Sequence, residues 1–167
     1  MNTRTRTLLR TLALATISAG VLQAAAPPAP PRVFISAAEV LQLAAKADAV
    51  TRAGGKYSSD PMVAWGPFRS KMEYHAGPSD FINISDTDAE LFVVIEGSGT
   101  MVVGGTLVNP TRTEGHARSL TVQGGTSYKL KKGDMVMVPA GAAHGITEVD
   151  GKIAMLSLHL PLMASAP

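Results

Sequence analysis

The chain contains no cysteine. Disulfides and thiolate metal ligands are therefore excluded, and stability has to come from packing. Most of the chain also lacks an excess of either charge. Of its fifteen basic and thirteen acidic residues, three arginines (Arg4, Arg6 and Arg10) and no acid lie in the first 26 positions. The remainder holds twelve basic against thirteen acidic residues, so the sequence pI near 9.0 belongs largely to the leading segment. No basic face remains of the kind that binds nucleic acid. The apolar stretch LALATISAGVLQAAA at 12–26 is too short and too rich in Ala, Thr and Ser to span a membrane. The glycine pairs in GGTLVNP and VQGGTS have no phosphate-loop lysine beside them, and there is no G-x-S-x-G elbow. No repeat of fixed period is found.

The leading segment has the parts of a secretory signal. A basic start, an apolar stretch and the small residues Ala24 and Ala26 form an A-x-A pattern. The expectation is a signal peptide over 1–26, export to the periplasm or medium, and no membrane attachment after cleavage. Residues 27–35 then read as a proline-stiffened linker. Ser36 followed by Glu39 is a capping-box pattern. Val40, Leu43, Ala44 and Ala47 recur at helical spacing before Gly54 and Gly55. One helix over about 37–53 is predicted, within a segment 36–55.

From position 56 to 163 the pattern changes. Hydrophobic residues make up 46% of the chain and charged residues 17%, with sixteen glycines and eleven prolines. That mixture suits a globular fold of short strands and many turns. The predicted strands are MEYHAG, DFINIS, ELFVVIE, GTMVVGG, RSLTVQG, TSYKLKK, DMVMVPA, HGITEV and KIAMLSLHL, with GSGT at 97–100 as a turn. Nine such runs without a second helix point to an all-β antiparallel sandwich or barrel. The polar segment 104–118 reads as a pocket-side loop.

Two stretches resemble the paired motifs of the cupin superfamily. In GDMVMVPAGAAH, Gly133, Pro139, Gly141 and His144 match the family's G-x5-P-x-G-x2-H, and Glu148 stands where its final Asn would fall. In ELFVVIEGSGTMVVGG, Glu90 and Gly97 match E-x6-G, but the upstream His-x-His is missing. Those positions fall on Asn83 and Ser85, or on Ile84 and Asp86. The resemblance spans about residues 70–161 and is also to small single-domain bacterial cupins with a signal peptide. It implies a jelly-roll β-barrel with one N-terminal helix.

The resemblance further implies a place for one divalent ion (Mn, Fe, Ni, Cu or Zn) held by three histidines and a glutamate. Two of the four carry over, Glu90 and His144, with His75 or His159 as candidates to complete the set. Alternation in the last strand puts His159 on a face with Ile153, Met155 and Ser157. Phe92 and Val94 share a face with Glu90, Met135 and Met137 share another, and each can fill core or line a pocket. His116 reads as solvated. Three functions stay open. One is a small-molecule binder with a degenerate metal site, holding an organic anion or sugar-like ligand near His144 and Asn83, with Ser85, Phe92 and His159 also at the site. The second is a metal-dependent dioxygenase or isomerase. The third is an interaction module with a vestigial pocket. A homodimer is expected to cover exposed sheet edges.

Overall fold

A computed structural model of the protein describes residues 31–162. The predicted signal peptide and residues 27–30 of the linker lie outside that range. Helix α1 (Ala37–Arg52) starts where the cap places it. The Glu39 amide donates to Ser36 Oγ at 3.2 Å, and the Ser36 amide donates to Glu39 Oε2 at 2.8 Å. Its apolar side, with Val40, Leu43 and Ala47, packs on Met62, Met72, Tyr74 and Ala154. The Tyr74 hydroxyl donates to Asp48 at 2.8 Å and ties the helix to the sheet beneath.

Eleven strands follow among the described residues: β1 (Tyr57–Trp65), β2 (Phe68–His75), β3 (Ile82–Ser85), β4 (Asp88–Val103), β5 (Thr106–Leu107), β6 (Thr111–Thr113), β7 (His116–Ser119), β8 (Val122–Gln123), β9 (Thr126–Lys131), β10 (Met135–Val138) and β11 (His144–Pro161). The pairing is antiparallel throughout. One half runs β1–β2–β11–β4–β10 and uses the end of β11 and the start of β4. The other runs β6–β7–β3–β11–β4–β9 and uses the start of β11 and the end of β4. The two halves face each other as a jelly roll. The ring expected from a barrel does not close: β1, β6, β9 and β10 are edges among the described residues.

Several sequence expectations are corrected here. ELFVVIE and GTMVVGG form the single strand β4, and HGITEV and KIAMLSLHL form β11. GSGT is not a turn. Both long strands bend at matching glycines, Gly97 (φ 79°) and Gly151 (φ 74°), where the ladder shifts register between Asp150 and Ile153. Glycine is the one residue that relaxes into such a bend without a side-chain clash. Strand β1 was missed because it contains Pro61. As an edge strand it tolerates a residue with no N–H to donate. Met135 and Met137 are 67% and 52% exposed and serve neither core nor pocket. Alternation instead turns Val138 inward, into the cluster of Phe92, Val94, Met101, Leu130, Ile146, Ile153 and Met155.

A Cβ at Gly97 would stand 1.9 Å from the Lys152 carbonyl oxygen, whereas one at Gly133 would meet open space. Gly97→Ala should cost more than about 3 kcal/mol or abolish folding. Gly133→Ala, with positive φ as its sole penalty, should cost about 1–2 kcal/mol. Urea unfolding of the two variants tests this, and equal losses would contradict the bend.

Candidate functional site

A cavity of about 400 Å³ lies between the two halves of the jelly roll. Its floor comes from three neighbouring strands in register. His159 of β11 stands opposite Arg69 of β2 on one side and Glu90 of β4 on the other. Two residues along, Ser157 stands opposite Lys71 and Phe92, and Met155 opposite Glu73 and Val94. Directly paired residues project from the same face. Alternation along β2 therefore sends Lys71, Glu73 and His75 to the cavity, and Ser70, Met72 and Tyr74 to the other side, where Met72 and Tyr74 pack beneath the helix.

His144 arrives from the facing half. Pro139 and Gly141 (φ 79°) make the bend predicted from the motif, closed by the Ala142 amide donating to the Pro139 carbonyl at 3.1 Å. The bend is pinned by the Gly141 amide donating to the Ser85 carbonyl at 2.7 Å. His144 then lies against Phe92, with ring centroids 5.6 Å apart. Its Nε2 faces Glu90 Oε1 at 3.7 Å, while His159 Nε2 faces Glu90 Oε2 at 3.8 Å. All three side chains are buried.

The two imidazoles present opposite tautomers to the carboxyl group. His144 Nδ1 lies 3.3 Å from the Ala142 carbonyl oxygen, which can only accept. Nδ1 therefore carries the proton, and the Nε2 lone pair faces Glu90. His159 Nδ1 lies 3.4 Å from Nη2 of Arg69, which can only donate. There Nδ1 is bare, and Nε2–H faces Glu90. Arg69 is itself held by Asp88 at 3.0 Å, and Ser85 and Thr87 hydroxyls donate to the same carboxylate oxygen.

Burial sets the protonation states. It pushes Glu90 up to about 7, with Glu73 and Asp88 adding to the rise and Lys71 and Arg69 opposing it. It pushes His75 down to about 4. It also pushes His159 to about 4, helped by the positive charge of Lys71 and Arg69. His144 is lowered by burial as well. Near neutrality two uncharged imidazoles thus face a carboxyl group that can gain or lose a proton, and a third, His75, is uncharged elsewhere on the cavity wall.

The donor chemistry of Glu90, His144 and His159 suits a divalent ion, but their arrangement does not. Among the described residues no three His, Asp or Glu side chains converge as metal ligands do. A metal-bound His159 would also need its proton on Nδ1, where Arg69 already points a donor. Ligating histidines normally give that proton to an acceptor.

The structure brings Asn83, Ser85, Glu90, Phe92, His75, His144 and His159 to the cavity, and leaves Val94, Met135 and Met137 out of it. Asn83 is exposed at its wall, with its amide donating to the Phe81 carbonyl at 3.4 Å, and Ser85 and Phe92 are buried. His159 meets Glu90, whereas His75 packs on Tyr57 with ring centroids 4.8 Å apart. His116 is exposed as expected, yet it lines the cavity from β7 with Thr111, Thr113 and Arg118. Lys71, Glu73 and Arg118 were missed. For the first two the signal was present: Arg69, Lys71, Glu73 and His75 alternate with Ser70, Met72 and Tyr74.

No family model matches the chain, and no curated protein matches it by sequence. Solved structures do match. Salicylate 1,2-dioxygenase from Pseudoaminobacter salicylatoxidans aligns with a TM-score of 0.54 and 13% identity, over 75% of this chain and 32% of that one. A Bacillus halodurans protein aligns at 0.51 and 14% identity, over 80% and 85%. A cupin superfamily protein from Desulfitobacterium hafniense DCB-2 aligns at 0.45 and 16% identity, over 64% and 79%. The chain has the cupin fold. The likeness reaches the fold alone; the chain spans about a third of the dioxygenase, and a cupin fold carries many chemistries.

The shifted groups give the fold opposite pH dependences. The unfolded chain protonates His75 near 6.5 and the folded one near 4. Its contribution is therefore present above pH 6.5 and lost as pH falls through about 4. Glu90, raised from 4.5 to about 7, contributes below pH 4.5 and loses that contribution as pH rises through about 7. Urea unfolding at stepped pH should show His75→Gln flattening the acid limb and Glu90→Gln flattening the limb between pH 4.5 and 7. Unchanged slopes in both variants would contradict the buried placement of these groups.

Proposed function

We propose that this cupin binds a small polar organic molecule in the cavity between its two sheets. The reading rests on one observation: a buried carboxyl group flanked by two imidazoles, none in hydrogen-bond contact with another, all at the wall of a 400 Å³ space. Among the described residues His159 Nε2 and His75 Nδ1 are buried without a hydrogen-bond partner. Buried polar atoms are normally satisfied, so these sites call for a partner from outside the chain. Phe92, Ile146 and Met155 supply apolar wall against which a carbon skeleton can pack.

Glu90, protonated, can donate toward His144 Nε2 while accepting from His159 Nε2–H. A ligand hydroxyl or carbonyl placed between them meets both a donor and an acceptor. The same arrangement could move a proton on a bound molecule, which makes an isomerase the second reading; Glu90, titrating near neutrality, favours it. Metal-dependent chemistry is disfavoured by the Arg69 contact to His159.

Thermal shift against a panel of small acids, amides and sugars, followed by titration calorimetry, tests the reading. A saturable rise in Tm is expected for at least one compound, because a ligand of the folded state stabilises by mass action. Glu90→Gln and His144→Ala should each weaken binding at least tenfold. Glu148→Gln, at an exposed position bound to Thr100, should leave it unchanged. Equal losses in all three variants would place the ligand elsewhere. Elemental analysis of the purified protein should show less than a tenth of an equivalent of Mn, Fe, Ni, Cu or Zn; a full equivalent lost in His144→Ala would restore the metal reading.

A further inference from the structure

We infer that the ligand is an anion, with a carboxylate or similar oxyanion group held by Lys71; this rests on the pocket reading above. Lys71 is half-buried on the floor of the cavity, one strand away from His159 and beside Glu73 on its own strand face. It makes no ion pair within 4.0 Å and no hydrogen bond with any described residue. Its neighbours are already committed. Glu73 accepts from the fully buried Ser157 hydroxyl at 2.6 Å. Asp88 is engaged by Arg69 at 3.0 Å.

A second cation guards the rim. Arg118 of β7 lines the same cavity and stacks over the Phe81 ring, 5.2 Å from its centroid. It too forms no ion pair with a described residue, in contrast to Arg112 on the neighbouring strand, which pairs with Asp86 at 3.0 Å. The cavity thus presents two cations without ion-pair contacts, four imidazoles and the hydrogen-bonded Glu73, with Glu90 as the second carboxyl group. A half-buried ammonium with no ion-pair contact is incompletely compensated, and an anionic ligand would supply that contact. The ammonium acts as a point charge for an oxyanion, and the imidazoles and Asn83 give direction to the rest of the molecule.

Matched probes of the same shape separate charge from fit. Benzoate and benzamide, and succinate and succinamide, are titrated at constant ionic strength with sodium chloride as the reference, by thermal shift and calorimetry. In the wild-type protein at least one carboxylate should raise Tm saturably above the chloride reference and bind at least tenfold tighter than its amide. Lys71→Gln should abolish that preference, Lys71→Arg should keep most of it, and Arg118→Gln should weaken it a few-fold. Circular dichroism of Lys71→Gln should match wild type and its ligand-free Tm should equal or exceed it, since Lys71 has no partner to lose and an uncompensated charge is removed. Amides binding as tightly as carboxylates, or carboxylates binding Lys71→Gln undiminished, would overturn the anion assignment and leave the pocket reading intact. No response to any probe, charged or neutral, would overturn both.

Discussion

Strand β11 is hydrogen-bonded along both edges over much of its length, and everything at the site depends on its register. Residues 153–159 pair with β2 on one side and β4 on the other. A slip of one residue would turn His159, Ser157 and Met155 outward and bring Leu158 and Leu156 into the cavity. The buried pair Ile153 and Met155, both fully enclosed, makes such a slip prohibitive. The order Arg69, His159, Glu90 across three strands is thus a consequence of apolar packing two turns of the pleat away. The bends at Gly97 and Gly151 then carry the same two strands into the facing half, which is how His144, at the far end of β11, returns to the carboxyl group that His159 also meets.

Low polarity makes the placement of single protons decisive. In water a carboxylate and two imidazoles at these separations would interact weakly and keep their ordinary protonation; enclosed, the loss of solvent drives each of them toward its neutral form. What fixes the direction of each ring lies one contact farther out. A backbone carbonyl turns the lone pair of His144 toward Glu90, and a guanidinium turns an N–H of His159 toward it. The carboxyl group therefore faces one acceptor and one donor, which suits a neutral carboxylic acid far better than a bare anion or a shared cation.

Much of the fold was legible in the residues. Ser36 and Glu39 announced the start of the helix, and the glycine and proline spacing around position 140 announced the bend before His144. The long strands were harder to see. Gly97 and Gly151 look like turn residues because a bend within a strand and a turn between strands ask for the same backbone freedom, and no local signal separates them. Pro61 hid β1, since the rule against proline in sheets relaxes at an edge, and being an edge is a tertiary property. At the site, Glu90, His144 and His159 were legible from motif and alternation. Lys71 and Glu73 were passed over because charged residues in a strand ordinarily face solvent; here β2 turns its charged side inward and its apolar side toward α1.

The departure from the family pattern has a physical counterpart in Ser85. Where the resemblance implies a histidine, Ser85 instead donates to Asp88, which holds Arg69, which in turn approaches His159 beside Glu90. A histidine at that position would bring a ring where the Ser85–Asp88–Arg69 chain now runs. With serine there, the Arg69 guanidinium contacts His159, and Lys71, one register step along β2, lines the cavity. Fixed positive charge on β2 therefore lies near Glu90, where Lys71 and Arg69 oppose the rise that burial imposes. On the anion reading proposed above, that fixed charge would draw an oxyanion toward Lys71, on the same strand that holds Arg69 against His159.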